Sequence, residues 1–530
     1  MPTAEILPAK NGENTLILTI NGKKTYIHSA YDPGAEGRRL AAELNAPEDA
    51  EVVAFGRGLG YHLAALAPRP VVAVEPSEEI AAICGGGALP LSDGLTEAIR
   101  RGLTKPAVVF VHPVYRRLFP EACARFLWAA KEAFAARIVD SNTLSALAET
   151  WQGAMYANLR RIARSESIAA LRGVFAGRTA VICGAGPSLN EDLDAVRAGT
   201  RATVICAYTA LPALRAAGIA PAFVVSVDAN QCAKGDALLA PGRQPEPVPE
   251  TLLWSETTDP RLLARHTGKS YFMCSSPFVR DTLVRAGLTA AGVEHGPSVI
   301  CAALSAARYM GFSSIIFAGM DLCVSETRTH AAGTVYDAGA ERSAEKIREN
   351  GLRVRVKGGG TAFTTPAMLS FKVWIERFIR QNSKIVFCNL TARGAEIEGA
   401  EDISAMAAAP GEQPDTMDIF YSADEDKALI FEGYVRDALS RLAALRPIAE
   451  RALEICGVDP DARAMVQLAR IDREIRANRA AVEAAVYMFE RRWREGESSS
   501  GKMAKSRAFY GAVAECAKFA ELSEFRKKER

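Results

Sequence analysis

The segment TAVICGAGPSLNEDLDAV, residues 179–196, combines the residue types that hold a phosphate group. An apolar strand runs into Gly184-Ala185-Gly186-Pro187-Ser188-Leu189, and the polar residues that follow begin a helix, which Ser188 or Asn190 can cap. Glycines at 184 and 186 let the main chain approach a ligand closely, and the first helical turn offers unpaired N–H groups to an anion. The segment predicts a nucleotide-phosphate contact; the alternative is a tight strand-to-helix connection without a ligand.

Two common nucleotide-binding motifs do not fit this segment. The third glycine of the dinucleotide fingerprint would fall at Leu189, and no acidic residue ends the next strand, TVICAY. The Gly-Lys-Ser run at 268–270 has Leu263 where a P-loop needs its first glycine, and it precedes a strand. Neither a dinucleotide fold of the usual kind nor a P-loop enzyme is therefore predicted.

Acidic and basic side chains follow two of the apolar strands. Asp228 ends FVVSVD and Asp321 ends IIFAGMD, so each could bind Mg²⁺ or ribose hydroxyls, or could cap the next helix. His330, in the loop THAAGTVY, lies near the edge where open α/β sheets bind ligands and is the candidate general base. The alternative for His330 is a solvated loop residue, with His266 and His295 as competing loop histidines.

Three further positions could line such a site. Ser298 follows Gly296-Pro297 and begins a helix, where it could both cap the helix and contact a ligand. Asn389 and Thr391 form another turn at a strand end, for which a plain turn is the alternative. Gly358–Gly360, followed by Thr365 and Pro366, predicts a mobile loop and a helix start that could act as a lid.

Short apolar strands alternate with helical stretches, and this pattern predicts an α/β fold with parallel sheets covered on both faces. An Asn21-Gly22 turn predicts a hairpin near the start of the chain. The remaining predicted strands are 51–55, 71–75, 107–111, 179–183, 203–207, 222–227, 251–254, 270–274, 314–318 and 384–389. Beyond residue 400 the apolar spacing is helical. We expect an α/β domain over 1–150, a Rossmann-like domain over 151–405 and an all-helical domain over 406–530.

Composition limits the class of protein. The 530 residues carry 64 basic and 62 acidic side chains, a net charge of +2, which gives no electrostatic reason to expect nucleic acid as a partner. With 49% hydrophobic and 24% charged residues, the chain is not globally disordered. Eleven scattered cysteines without Cys-x-x-Cys spacing argue against a disulfide scaffold or a zinc site. No apolar run reaches membrane-spanning length, so we expect a cytoplasmic protein without a transmembrane segment. The basic tail FRKKER predicts a solvated helix end, or contact with an acidic partner.

A second glycine-rich turn lies in the N-terminal region. Gly56, Gly58 and Gly60 follow a strand and precede a helix, and the next strand, VVAVE, ends at Glu75. This order is typical of S-adenosylmethionine-dependent methyltransferases, in which the glycines admit the cofactor and the acid binds its ribose. The turn therefore offers a competing ligand site.

The combined motifs resemble those of the motility-associated factor (Maf) glycosyltransferases. The motifs are GAGPSL, ICAYTALPALRAAGIAPAFVVSVDAN, GPSVICAALSAARYMGFSSIIFAGMDL, His330 and NLTARGAEIEGA, and the likeness is close over residues 170–400. The N-terminal GRGLGYHLAAL…VVAVEP also looks like that family. The resemblance implies a central Rossmann-like, sialyltransferase-type domain, similar to hydroxymethylpterin pyrophosphokinases. The activity it implies is transfer of a nonulosonic acid, such as pseudaminic or legionaminic acid, from its CMP-activated form to Ser or Thr of flagellin, for flagellum assembly and motility.

This resemblance assigns roles to the candidate residues. Catalytic roles fall to His330, Asp228 and Asp321, and donor binding to Gly184, Ala185, Gly186, Pro187, Ser188, Leu189, Ser298, Gly319, Asn389 and Thr391. No covalent cofactor is expected, and assistance by Mg²⁺ is left open. The N-terminal domain is then expected to present the acceptor rather than to act as a methyltransferase. Two rivals remain, a Mg²⁺-dependent pyrophosphokinase acting on a pterin-like alcohol and a non-catalytic flagellin-binding chaperone.

Overall fold

The structure is a computed structural model that describes residues 2–44, 47, 50–85, 87–91, 95, 98–99, 107–199, 202–232, 247–391, 393–403, 422–457, 462–485, 488 and 502–522. The chain forms two compact units, Met1–Ile138 and Val139–Arg530. The division into domains over 1–150, 151–405 and 406–530 stays a prediction. The predicted basic tail at 525–530 lies outside the described residues.

The first unit contains an antiparallel and a parallel sheet. The antiparallel sheet has the order β1-β2-β3 and the parallel sheet the order β6-β5-β4-β7. Their strands are β1 (Thr3–Pro8), β2 (Asn14–Ile20), β3 (Lys23–Tyr26), β4 (Glu51–Phe55), β5 (Val71–Glu75), β6 (Leu89–Pro90) and β7 (Ala107–Val111). The hairpin predicted at Asn21-Gly22 joins β2 to β3, and both turn residues have positive φ, as a tight hairpin turn requires. Strand β1 was not predicted.

Helices cover the parallel sheet of the first unit. They are α1 (Pro33–Ala42), α2 (Tyr61–Ala64), α3 (Glu78–Cys84), α4 (Pro113–Leu118) and the start of α5 (Pro120–Ala163). Phe55, Tyr115 and Phe126 are fully buried at the centre of the core. Because β4 is buried along its whole length, its residues after Glu51 form a continuous apolar run, which made the strand predictable.

The second unit is built on a nine-stranded parallel sheet with the order β18-β17-β14-β9-β10-β11-β12-β13-β8. Its strands are β8 (Glu166–Ser167), β9 (Thr179–Cys183), β10 (Thr203–Ala207), β11 (Phe223–Ser226), β12 (Thr251–Trp254), β13 (Ser270–Phe272), β14 (Ser314–Ala318), β17 (Val386–Asn389) and β18 (Glu401–Asp402). A separate antiparallel hairpin pairs β15 (Leu352–Arg355) with β16 (Thr361–Thr364). A mixed α/β fold with parallel sheets is thus confirmed, and the predicted Gly358–Gly360 loop is the tip of this hairpin.

Helices alternate with these strands. They are α6 (Leu189–Ala198), α7 (Leu211–Ala216), α8 (Pro260–Arg265), α9 (Pro277–Arg285), α10 (Val299–Met310), α11 (Ala340–Asn350) and α12 (Pro366–Gln381). Thr365 caps α12 by accepting the Met368 N–H, and Pro366 occupies its first turn, as predicted. Strand β9 connects onward to β10 on one side, whereas β14 lies on its other side. The strand order therefore reverses between β9 and β14, where open α/β sheets bind ligands.

The described part of the chain after residue 421 is helical. Its helices are α13 (Glu425–Ala444), α14 (Arg446–Gly457), α15 (Ala462–Ala477), α16 (Arg479–Glu483) and α17 (Lys502–Leu522). The helical apolar spacing predicted beyond residue 400 is thus confirmed for the described residues after 421, and Pro447 lies in the first turn of α14, where proline is favoured. Among the described residues, no helix combines the length and the apolar character needed to cross a bilayer.

Candidate active site

The turn Gly184–Leu189 packs directly on the segment that follows β14. The Gly184 N–H donates to the Ala318 carbonyl at 2.8 Å, and the Gly186 N–H donates to the Gly319 carbonyl at 2.9 Å. Two of the turn's amides are therefore bonded within the protein, where the sequence predicted a contact with phosphate. The turn Gly184–Leu189 lies at the switch point, where the strand order reverses, and it is hydrogen-bonded to the end of β14.

The glycines are needed for this closure. A Cβ atom on Gly186 would lie 2.1 Å from Asp321 Oδ2 and 2.6 Å from the Gly319 carbonyl oxygen. On Gly184 it would lie 2.6 Å from that same oxygen. Gly319 has φ +60°, and its Cβ would lie 2.8 Å from the Cβ of Leu189. The close approach that glycine permits here is between two segments of the chain.

Asp321 supplies an internal anion at the start of α6. Its carboxylate accepts the Ser188 N–H at 3.1 Å and the Ser188 hydroxyl at 2.5 Å. Ser188 is the N-cap residue of α6, but its hydroxyl contacts Asp321 and, at 2.7 Å, the Arg393 carbonyl, and it accepts no N–H from the helix. Burial raises the pKa of Asp321 to about 7, although the bonds from Ser188 oppose that rise. Asp321 thus occupies the position at which the sequence predicted a ligand phosphate.

Buried polar side chains form hydrogen bonds with the segment that follows β14. Asp192 accepts the Gly319 N–H at 2.8 Å, and the Thr391 hydroxyl accepts the Met320 N–H at 2.9 Å. Asn389 in turn accepts the Thr391 N–H at 3.2 Å. Asn389 and Thr391 are almost fully buried. They support the segment after β14, and their predicted contact with the donor stays a prediction.

The loop that carries His330 lies over the carboxyl ends of β9 and β10. The Ala331 N–H donates to the Ala185 carbonyl, and the Val335 N–H donates to the Thr209 carbonyl, both at 3.0 Å. Asn190 in α6 accepts the Ala332 N–H at 2.9 Å. These bonds place His330 above the switch point, next to the predicted turn.

His330 packs against Tyr336, and the charge of Asp228 acts on Tyr336. The His330 and Tyr336 rings are 5.2 Å apart and pack edge to face at 67°. Burial lowers the pKa of His330, so its imidazole is neutral at neutral pH and can accept a proton. Burial and the negative charge of Asp228 raise the pKa of Tyr336 to about 12. All three side chains are half-buried. This cluster has the chemistry of a general base with polar neighbours.

Ser298 caps α10, where its hydroxyl accepts the Cys301 N–H at 3.4 Å. The structure confirms the predicted cap; the predicted donor contact stays a prediction.

In the first unit, the Gly56–Gly60 turn is also closed. Glu75 accepts the N–H groups of Arg57 and Gly58, both at 3.1 Å, and the Tyr115 hydroxyl at 2.7 Å. A Cβ on Gly56 would lie 2.4 Å from the Tyr115 ring. The acid that the methyltransferase interpretation assigns to a ribose is thus bonded to its own turn.

Sequence reasoning missed several residues of these sites. Tyr336 was missed because Asp228, whose charge raises the pKa of Tyr336, is more than a hundred positions away in the sequence. Glu256, directly after β12, is fully buried and accepts the Ser275 hydroxyl and N–H. Its position after an apolar strand could have identified it, because the same position identified Asp228. Among the described residues, no group of three His, Cys, Asp or Glu side chains could hold a metal ion.

Comparisons with known proteins place these residues in context. Residues 154–327 match the family model "6-hydroxymethylpterin diphosphokinase MptE-like". The chain is similar to the solved structure of a Maf glycosyltransferase from Magnetospirillum magneticum AMB-1, with 16% identity, a TM-score of 0.47, and 98% of this chain and 91% of that chain covered. Among the curated proteins, none matches. The predicted likeness to hydroxymethylpterin pyrophosphokinases is confirmed over residues 154–327, where the family model matches.

Proposed function

We propose that this protein is a glycosyltransferase that moves a nonulosonic acid from its CMP-activated form to Ser or Thr hydroxyls of flagellin. The observation that carries the proposal is the packing of neutral His330 against Tyr336, on which the charge of Asp228 acts, beside the point where the strand order reverses. The MptE-like match ends at residue 327, so it includes Asp228 but not His330 or Tyr336. His330 and the motif NLTARGAEIEGA belong to the Maf resemblance and lie beyond that match.

The chemistry of the transfer assigns a role to each group. The acceptor oxygen bonds to the anomeric carbon, the bond from that carbon to the phosphate oxygen breaks, and CMP leaves with the electron pair. His330 takes the acceptor's proton, a step that general bases accelerate by about 10²–10⁴-fold. Tyr336 stays protonated and can donate a hydrogen bond in the cluster. Departure of CMP builds negative charge, which oriented donors stabilise.

The donor nucleotide belongs beside the turn, not inside it. Asp321 already fills the position next to the Ser188 amide, so the phosphate contacts the half-buried outer residues Ala185, Gly186 and Pro187. Gly184, Ser188 and Leu189 then support the donor site from within. Asp321 in this account is a structural anion, in place of the catalytic role that the sequence predicted for it.

A second candidate is favoured by the family match, namely phosphoryl transfer to a pterin-like alcohol. Mg²⁺ in such enzymes takes one or two carboxylates together with substrate phosphates. Half-buried Asp228 has the chemistry for such a contact, whereas both oxygens of Asp321 are bonded to Ser188. This candidate predicts stabilisation by ATP with Mg²⁺ and not by CMP.

Transfer to flagellin by purified protein tests the proposal. We expect intact-mass analysis to show addition of the sugar with wild-type protein, and a loss of about 10²–10⁴-fold in rate with His330→Gln. Transfer should fall as the pH drops through the lowered pKa of His330, because only the neutral ring accepts a proton. The matched control is His266→Gln, in the same unit, whose ring nitrogen is 2.9 Å from the Glu250 carbonyl oxygen. Equal rates for the two variants would contradict the role of His330, and flagellin binding without transfer would favour the chaperone.

A further inference from the structure

The ring of His330 has a specific neighbour on its Nδ1 side. The Thr329 hydroxyl oxygen lies 3.0 Å from His330 Nδ1 and 3.3 Å from the Ala340 carbonyl oxygen. The Thr329 N–H also donates to the Ala340 carbonyl, at 3.2 Å. Thr329 itself is only 5% exposed, so water does not replace these bonds freely. The residue before the candidate base is thus fixed at both its main chain and its side chain.

The number of hydrogens decides which nitrogen of His330 is protonated. A threonine hydroxyl has one hydrogen to donate and lone pairs to accept. A carbonyl oxygen only accepts, so both contacts of the Thr329 hydroxyl are hydrogen bonds at once only when its hydrogen points to Ala340 and its oxygen accepts from His330 Nδ1–H. In a neutral imidazole the other nitrogen, Nε2, then carries the lone pair.

We propose that Thr329 is a positioning residue that fixes His330 as the Nδ1–H tautomer and leaves Nε2 as the nitrogen that takes the acceptor's proton. The proton-taking role rests on the proposed glycosyl transfer; the tautomer does not. No group of Thr329 touches the reacting atoms. Its hydroxyl has the function that an oriented hydrogen-bond partner of a catalytic histidine has in other enzymes, namely to set tautomer and ring orientation.

The loop is closed around this arrangement by an ion pair. Arg328 pairs with Asp337, and its Nε donates to the His330 carbonyl at 3.2 Å. The other oxygen of Asp337 accepts the Gly333 N–H at 2.9 Å. The His330 carbonyl and the Gly333 N–H are therefore bonded to the two partners of one salt bridge, which fixes the main chain of the loop from His330 onward.

Two substitutions at Thr329 distinguish the effect of the hydroxyl group from the effect of the side chain's shape. Thr329→Val keeps the shape and removes the hydroxyl, whereas Thr329→Ser keeps the hydroxyl. In protein labelled with ¹⁵N-histidine, His330 is assigned by its absence in His330→Gln. We expect wild type and Thr329→Ser to show protonated Nδ1, and Thr329→Val to shift the population towards protonated Nε2.

A loop hydroxyl away from the ring provides the control. Thr334 is similarly buried and donates to the Ala331 carbonyl at 2.7 Å, so Thr334→Val removes a hydroxyl of the same loop. We expect the His330 tautomer to be unchanged in that variant. Protonated Nδ1 in Thr329→Val, or the same tautomer change in Thr334→Val, would overturn the proposal.

Kinetics test the consequence for transfer. With a positioning partner removed, Thr329→Val should lower kcat by roughly 10- to 100-fold with the donor KM unchanged, and Thr329→Ser should restore it. A kcat unchanged by Thr329→Val would also overturn the proposal. If wild-type protein transfers no sugar at all, the proposed function fails, and the tautomer measurement still decides the role of Thr329.

Discussion

Two glycine-rich turns in this protein follow the same pattern of strand, turn and helix, and both are closed by a carboxylate from another strand end. In the first unit Glu75 binds the N–H groups of Arg57 and Gly58. In the second unit Asp321 binds the N–H and hydroxyl of Ser188. Either turn alone suggests a nucleotide site, yet each already holds a carboxyl group of its own chain. The pattern by itself therefore does not identify a ligand site.

The surroundings of the two turns differ. Behind the first turn lie three buried histidines, His28, His62 and His112, each at most 2% exposed, with ring centroids 5.0–6.3 Å apart. Beside the second turn lie half-buried His330, Tyr336 and Asp228. Protonation of a buried cluster that no ligand reaches affects the stability of the fold, whereas half-buried side chains can contact a substrate. Accessibility of the titratable neighbours distinguishes the two turns.

Acid should produce the largest effect, and it should fall on the first unit. Burial lowers the pKa values of His28 and His62 to about 4 and of His112 to about 3, from 6.5. Because the unfolded chain binds these protons first, stability is complete above pH 6.5 and falls as the pH drops towards 4. A depression of this size corresponds to several kcal/mol for the three together. Glu75 has a pKa raised by burial and opposes this loss, while Tyr61 and Tyr115 titrate only at high pH.

Pulse hydrogen exchange at one labelling pH, after equilibration between pH 7 and 4, measures this loss for first-unit peptides. His112→Phe sharpens the test, because both ring nitrogens of His112 lack a hydrogen-bond partner among the described residues. We expect the variant to lose less stability with acid and little at pH 7. An unchanged pH dependence in His112→Phe would show that the cluster is not its source.

Filling the closed turn of the second unit should produce the next largest effect. A methyl group in Gly186→Ala would collide with the Asp321 carboxylate, and overpacking of this kind costs about 1–3 kcal/mol. Gly433→Ala is the matched control, since an added Cβ meets no atom within 4 Å in α13 and alanine favours a helix. Urea unfolding measures both. Equal stability of the two variants would mean that the turn is more open than the structure shows.

The smallest effect is expected at Gly60 in the first turn. Gly60 has φ +82° and nothing within 4 Å of an added Cβ, so Gly60→Ala should cost only the backbone strain of about 1–2 kcal/mol. At Gly58, φ is +50° and the added Cβ would lie 2.4 Å from His28 Nε2, so Gly58→Ala should cost clearly more. Thermal unfolding of the two variants compares them. A larger loss at Gly60 would argue against the closed turn and its buried histidines.

Local features of the fold were predictable, and contacts between distant segments were not. Strands such as β9 and β14, which are apolar after their first residue, and the Ser298 cap of α10 were predictable because their signals lie within a few residues. The strands of the β15–β16 hairpin were not predicted, since Leu352–Arg355 is only four residues long, two of them charged and three of them exposed. The bond between Ser188 and Asp321 joins residues 133 positions apart, and no spacing rule reveals it. Which of the predicted site residues support the turn, and which are accessible to a ligand, is therefore decided by the three-dimensional structure and not by the sequence.

Hydrogen exchange of the full chain with and without saturating CMP tests the central claim most directly. If the nucleotide binds at the switch point of the second unit, peptides covering 185–190 and 328–341 become protected and those covering 56–60 do not change. Protection of 56–60, or no protection of 185–190 and 328–341, would contradict the placement of the active site beside His330.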